Sequence, residues 1–152
     1  MSNRRLILAW GPAVVWMGVI FFLSSQSTLP TFPSIVPDRV AKKGAHFVEY
    51  ATLAVLCWRA LRQTIRAGNP ATWAFALTVL YAASDEWHQT FVRGRHGRLT
   101  DVLIDSSGAL VGLAVAHWWT RKKSGAGGAR RPAPGMGTGP AGVRDPEIAD
   151  GT

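Results

Sequence analysis

The sequence predicts an all-α integral membrane protein with four transmembrane helices, both termini in the cytoplasm and a disordered C-terminal tail. Three observations lead to this fold class. Apolar residues come in four long blocks, although the mean hydropathy of the chain is only +0.09. The 152 residues include seven Trp, a residue that favours the headgroup region of a membrane. The basic residues, which bring the pI to about 10.8, are spread over the polar segments between the blocks.

The first block, LILAWGPAVVWMGVIFFLS (residues 6–24), carries no charge and is long enough to cross a hydrocarbon core. Arg4 and Arg5 precede it, as in a signal peptide. However, the apolar stretch is too long for a typical signal sequence and no A-x-A-like cleavage site follows. We therefore expect a retained span that ends in a polar exit, SSQS (24–27).

The next two blocks are separated from their neighbours by helix-breaking residues. Prolines at 30, 33 and 37 exclude a continuous helix over 25–41, and the second block covers about 45–61. Asn69-Pro70 then predicts a helix start, with Asn as the N-cap and Pro in the first turn. The third block runs through Ala83 and is expected to continue into the polar stretch SDEWHQ.

The fourth block covers 101–119, with Thr100 as a candidate cap. A Gly-, Pro- and Arg-rich tail follows and shows no apolar periodicity, which is typical of disorder. The predicted domains are therefore a membrane domain at 1–123 and a disordered tail at 124–152.

The distribution of Lys and Arg predicts the orientation of the spans. Eight basic residues lie near the membrane on the side of the termini, and six lie on the other side. The positive-inside rule places the richer side, with both termini, in the cytoplasm. The richer side holds Arg4, Arg5, Arg59, Arg62, Arg66, Arg121, Lys122 and Lys123, and the other side holds Arg39, Lys42, Lys43, Arg93, Arg95 and Arg98.

Composition also excludes some classes of protein. The single cysteine, Cys57, excludes a disulfide framework and is expected to be a small buried hydrophobe. The net charge of +8 does not indicate nucleic-acid binding, because the basic residues are not gathered on one face and no recognition motif is present.

Polar side chains gather at the outer ends of three predicted helices. Such groups are costly inside a membrane, about 2.5–3.5 kcal/mol each, and normally face a bundle interior or a watery cavity. Helical spacing places them on shared faces, with small residues such as Gly108 and Gly112 allowing close helix approach. The cluster comprises Lys42, Lys43, His46 and Glu49 from the second helix, Asp85, Glu86, His88 and Gln89 from the third, and Asp101 and Asp105 from the fourth.

Four interpretations of this cluster fit the spacing. The network could only hold helices in register. A hydrolase or transferase would use a carboxylate or histidine as general base, with arginines holding an anionic group. A binding cleft would use the arginines alone. A metal site could draw on the pairs His46–Glu49 and Asp85–His88, but a carboxylate neighbour already explains each histidine, so we predict no metal and no cofactor. Tyr50 and Tyr81 are interpreted as packing residues.

Three segments resemble the VanZ-like family of small bacterial membrane proteins. They are FFLSSQS (21–27), KGAHFVEYATLAVL (43–56) and SDEWHQTFVRGRHGRLTDVLIDSSGALVG (84–112). In combination, the patterns K-x-x-H-F-x-E-Y, S-D-E-x-x-Q and R-x-x-x-x-x-D-x-x-x-[ND]-x-x-G are fairly specific. Asp105 occupies a place where such proteins often carry Asn, which changes the local charge.

The resemblance implies a cell-envelope function, since the family's founding association is resistance to the glycopeptide teicoplanin. It favours a functional cleft on the outer face, with an anionic envelope lipid or cell-wall precursor as partner in addition to the lipid bilayer. Whether the cleft catalyses a reaction stays open, as does a scaffold role. Glu49, Asp85 or Glu86 would then be acid or base, oriented by His46 and His88. Ligand-binding residues would be Lys43, Gln89, Arg95, Asp101 and Asp105, with Arg93 or Arg98 helping to hold the anion.

Overall fold

A computed structural model of the chain describes residues 2–26, 38–93, 95 and 97–127. These residues form four α-helices and contain no strand: α1 (Asn3–Ser24), α2 (Asp38–Thr64), α3 (Pro70–Gln89) and α4 (Leu99–Gly127). The predicted all-α class is therefore confirmed. The proline-rich connection at 27–37 lies outside the described residues, as does the predicted tail from 128 onward, while 124–127 continue α4.

The start and end of α3 follow the sequence prediction. The Asn69 side chain accepts a hydrogen bond from the backbone N–H of Ala71 at 2.9 Å, and Pro70 occupies the first helical position. This cap satisfies one of the backbone donors that a helix start leaves free. The helix then continues through the polar stretch to Gln89, as expected.

The starts of α2 and α4 differ from the prediction. Helix α2 begins at Asp38 instead of near residue 45. Helix α4 begins at Leu99, so Thr100 lies inside its first turn and the prediction of Thr100 as cap was wrong. The reason is that the carbonyl of Arg98 already accepts the hydrogen bond of Asp101 N–H at 2.9 Å, which places the helix boundary before Thr100.

Helix α2 is the centre of the bundle. It packs most extensively on α4 and also contacts α1 and α3, whereas α1 contacts α3 only slightly. A Cβ at Gly108 would collide with the carbonyl of Phe47, and one at Gly112 with the carbonyl of Ala51. The two contacts share the same sequence offset, so α2 and α4 run parallel. The two glycines bring the helices close together, as the sequence predicted.

The buried interior is small, and apolar side chains cover much of the surface. The core includes Ile20, Tyr50, Leu53 and Cys57, so Cys57 is the buried hydrophobe that was expected. In the described part of the chain, α1 and α4 are long and apolar enough to cross a membrane, whereas α2 and α3 do not meet the same criterion of length and composition.

The topology brings four helix termini together. The hydrogen bond from Ser24 to Asp85 joins the end of α1 to the end of α3. The ion pair between Lys43 and Asp101 joins the beginning of α2 to the beginning of α4. The polar residues of all four described helices therefore meet at one end of the bundle.

Candidate functional site

Two adjacent acids of α3, Asp85 and Glu86, are both buried, with 3% and 6% of their surface exposed. They lie about 100° apart around the helix and reach different neighbours. Asp85 Oδ2 accepts a hydrogen bond from Ser24 Oγ of α1 at 2.8 Å. Glu86 Oε2 accepts one from the backbone N–H of Arg98, before α4, at 2.9 Å. Both acids thus belong to the interior of the cluster.

Gln89 links these two acids to the guanidinium of Arg95. Its Nε2 donates to Asp85 Oδ2 at 2.9 Å and to Glu86 Oε1 at 3.4 Å. Its Oε1 accepts from Arg95 Nη1 at 3.2 Å. An amide has donors on one side and an acceptor on the other. The NH₂ group of Gln89 therefore faces the acceptor carboxylates, and its carbonyl oxygen faces the donor guanidinium.

Arg95 closes the end of α1. Its Nη2 donates to the carbonyl of Leu23 at 2.9 Å, and its Nε donates to the carbonyl of Gln26 at 3.2 Å. The last carbonyls of a helix have no partner within the helix, and Arg95 supplies one. With Gln89 included, three of the five N–H groups of this guanidinium are engaged inside the protein.

Asp105 and His46 form the deepest part of the cluster. Asp105 is fully buried, and its Oδ1 lies 3.7 Å from His46 Nδ1. Tyr50, one turn after His46, is also fully buried, and the two rings stack with centroids 6.2 Å apart. Among the described residues, neither oxygen of Asp105 nor His46 Nδ1 has a hydrogen-bond partner. The Tyr50 hydroxyl faces the carboxylate of Asp85.

The outer rim of the cluster is exposed and basic. Lys43 Nζ lies 2.9 Å from Asp101 Oδ1, with 47% and 27% of the two side chains exposed. Arg93 and Arg98 are exposed as well. Glu49 is half-buried between rim and interior, where it interacts electrostatically with His46, Asp85 and Arg95.

His88 lies at the side of the cluster that faces α1. Its Nε2 is 3.2 Å from Ser25 Oγ, and its ring stacks on Phe21 with centroids 4.5 Å apart. Both contacts are with α1. The structure thus places His88 beside the apolar first helix, and His46 beside the buried carboxylate of α4.

Sequence reasoning missed two members of the cluster. Ser24 was interpreted as part of a polar helix exit, and Tyr50 as a packing residue. A signal was present for Ser24, because it follows Ala13 and Ile20 on one buried face of α1 at helical spacing. For Tyr50, the spacing of four from His46 was the corresponding signal.

The arrangement offers several kinds of chemistry at one end of the bundle. Half-buried and buried carboxylates next to a histidine can donate or accept protons. The exposed bases of the rim can bind an anionic group. A nitrogen and several oxygens of buried side chains can also coordinate a cation.

Comparison with known proteins identifies the family. No curated protein and no solved structure matches the chain. The family model described as VanZ/LLP1 matches residues 9–120, a range that contains the whole cluster from Ser24 to Asp105. The match covers well over half of the chain, so this protein belongs to the VanZ/LLP1 family.

Proposed function

We propose that this chain is a multi-pass protein of the cytoplasmic membrane with four spans and both termini in the cytoplasm. Two apolar helices and the family membership support a membrane protein. Large apolar side chains are also exposed on each of the four described helices, among them Val15, Val48, Leu80 and Leu103. Such extensive apolar surface suits lipid rather than water. The polar residues that α2 and α3 contribute to the cluster shorten the apolar stretches of these two helices.

Aromatic and basic side chains pair at the opposite end of the bundle. Arg62 lies over the ring of Trp58 at 4.9 Å, and Lys122 and Lys123 lie over Trp118 and Trp119 at 5.3 and 5.4 Å. Trp near Lys and Arg is typical of a membrane–water interface on the cytoplasmic side. These pairs support a cytoplasmic location for this end and an outward-facing cluster.

The outward-facing cluster binds an anionic component of the cell envelope. The observation that carries this proposal is the basic rim, which surrounds buried carboxylates drawn from α3 and α4. The association of the family with teicoplanin resistance favours lipid-linked or cell-wall material as the ligand. If a reaction follows binding, Glu49, Asp85 or Glu86 supplies the acid or base, oriented by His46 and His88. The basic residues of the rim are Lys42, Lys43, Arg93, Arg95 and Arg98.

A binding measurement tests this proposal. The full chain in zwitterionic nanodiscs is titrated with phosphatidylglycerol and with a polyprenyl diphosphate. We expect Lys43→Gln combined with Arg93→Gln to weaken binding about thirtyfold, since each lost basic contact near a surface contributes about 1 kcal/mol. The matched control is Arg5→Gln combined with Arg66→Gln at the other end of the bundle. Equal affinity of the two double variants would refute an anion site at the cluster.

A scaffold without a ligand is the second candidate function. The hydrogen bonds of Ser24 to Asp85 and of Arg95 to the end of α1 favour it, because they hold α1 against α3. Thermal unfolding of Asp85→Asn, Glu86→Gln and Glu49→Gln separates the candidates. Stability that is unchanged or higher supports a working site, since the charges are then held at a cost to the fold. Losses of about 3–5 kcal/mol in each variant, as in broken buried pairs, support the scaffold.

A further inference from the structure

Three side chains from three different helices converge beneath the rim. His46 comes from α2, Glu86 from α3 and Asp105 from α4, and one ligand atom from each lies within 4.8 Å of the other two. Glu86 and Asp105 are almost completely buried. The candidate metal pairs in the sequence, His46–Glu49 and Asp85–His88, each lie within one helix. This trio instead contains one residue from each of three helices.

The trio contains buried polar atoms that lack partners. Both oxygens of Asp105 and Nδ1 of His46 have no hydrogen-bond partner among the described residues. Buried polar atoms in folded proteins are almost always paired, and each one left unpaired costs about 1–3 kcal/mol. A single ion between the three side chains would give partners to Asp105 and His46 at once.

Acidic side chains are concentrated around Asp105. Asp105 interacts electrostatically with four other acids, Glu86, Asp85, Asp101 and Glu49. The imidazole of His46 lies 3.7 Å from its carboxylate. Arg95, the nearby guanidinium, donates to carbonyls and to Gln89. A divalent cation would offset this accumulation of negative charge.

We propose that His46, Glu86 and Asp105 bind a divalent transition-metal ion of the Zn²⁺ or Mn²⁺ type. One imidazole nitrogen and two carboxylate oxygens are a ligand set that such ions accept. With bonds of about 2.1 Å, tetrahedral ligands lie about 3.4 Å apart. The separation of 3.7 Å between His46 Nδ1 and Asp105 Oδ1 is close to that value. Distances of up to 4.8 Å within the trio need the side chains to close by up to about 1.4 Å.

Surrounding contacts fix the positions of the three side chains for metal binding. Gly108 and Gly112 hold α4 close to α2, which sets the spacing of His46 and Asp105. The backbone N–H of Arg98 holds Glu86 Oε2. In the described part of the chain, Glu86 Oε1 has only the 3.4 Å contact to Gln89. Partners of this kind orient metal ligands and strengthen binding. The inference goes beyond the proposed anion binding, since it assigns a cation to the carboxylates under the rim.

Metal content and metal-dependent stability test the proposal on the full chain in detergent. Protein purified without chelator is expected to hold about one ion per chain by inductively coupled plasma mass spectrometry. After removal with EDTA, addition of Zn²⁺ or Mn²⁺ is expected to raise the unfolding temperature, because the ion binds only the folded state. His46→Gln and Asp105→Asn should each weaken the binding of the added ion at least about tenfold.

One variant serves as the matched control, His117→Gln at the other end of α4. It should bind the added ion within about threefold of wild type, since it replaces no ligand and lies far from the acids around Asp105. Wild-type protein that holds no metal and shows no shift with either ion overturns the proposal, whether or not the variants fold. Equal affinity of wild type and Asp105→Asn overturns it as well. These metal assays contain no anionic lipid. A negative result in them therefore does not bear on the proposed anion binding, which is tested separately by the lipid titration.

Discussion

At the scale of single residues, Tyr50 and the half-buried Tyr81 differ in what their hydroxyls meet. Tyr81 donates to the backbone carbonyl of Met17 at 2.6 Å. Tyr50 is fully buried, and its hydroxyl faces the carboxylate of Asp85 without a hydrogen bond of standard geometry. The same side chain therefore bonds a backbone group in one place and meets an acid of the cluster in the other.

Replacing each tyrosine by phenylalanine tests this difference. Tyr81→Phe should lower the free energy of unfolding by about 0.5–1.5 kcal/mol, the usual contribution of a neutral hydrogen bond. Tyr50→Phe should lower it by less, because the Tyr50 hydroxyl makes only a poorly aligned or long contact with Asp85. The measurement is thermal or denaturant unfolding in detergent. A larger loss in Tyr50→Phe than in Tyr81→Phe would show a full hydrogen bond between Tyr50 and Asp85.

Two neighbouring serines at the end of α1 permit a second comparison. Ser24 Oγ donates to the buried carboxylate of Asp85. Ser25 Oγ donates to the carbonyl of Phe21 one turn back and lies 3.2 Å from His88 Nε2, so its partners are uncharged or half-exposed. Ser24→Ala should cost about 1.5–3 kcal/mol, as expected for a hydrogen bond to a charged group. Ser25→Ala should cost less than about 1 kcal/mol. Similar unfolding free energies for the two variants would contradict the assigned role of Ser24.

At the scale of helices, the contact between α2 and α4 sets the geometry of the cluster. The absence of a side chain at Gly108 and Gly112 lets the backbone of α2 approach α4 directly. That approach places His46 of one helix next to Asp105 of the other. Packing of small residues in the apolar half of the interface thus decides where the polar groups meet.

Adding one methyl group to this interface should be costly. In Gly108→Ala the new Cβ meets the carbonyl of Phe47, and because backbone must move, we expect a loss of about 1–3 kcal/mol. Gly18→Ala in α1 is the matched control, since nothing lies within 4 Å of its added Cβ. It should be neutral or stabilise by up to about 1 kcal/mol, the difference in helix propensity. Equal unfolding temperatures for the two variants would refute the close contact.

At the scale of the whole molecule, the two ends of the bundle have different chemistry. One end holds the buried acids, His46 and the basic rim. The other end holds Trp58, Trp118 and Trp119, each under a basic side chain. This difference between the two ends favours the proposed orientation, with the end that pairs Trp with Lys and Arg in the cytoplasm.

Reporter fusions test the proposed orientation. Enzymatic reporters joined after Arg66 and after Gly97 should report opposite sides of the membrane, because α3 lies between them. A fusion after Lys123 should report the same side as the one after Arg66. The same side for Arg66 and Gly97 would overturn the model of four spans.

Part of this architecture can be predicted from local sequence. The Asn69-Pro70 start of α3 and the continuation of that helix to Gln89 depend on capping and on backbone rules that act within a few residues. The cluster members on α2, α3 and α4 follow from helical spacing. The start of α4 could not be predicted from Thr100. A Thr at the cap and a Thr just inside the first turn look the same in the sequence.

The sequence by itself determined the all-α class, the order of the helices and the polar residues at their ends, because helical periodicity depends only on the geometry of the chain. Only the tertiary structure decided which side chains touch. It turned Arg95 toward the carbonyls of α1, drew His88 to Phe21 and brought His46, Glu86 and Asp105 together. These contacts depend on how far apart the helices lie and how each is rotated. Packing against neighbouring helices sets both quantities, and local sequence does not contain them.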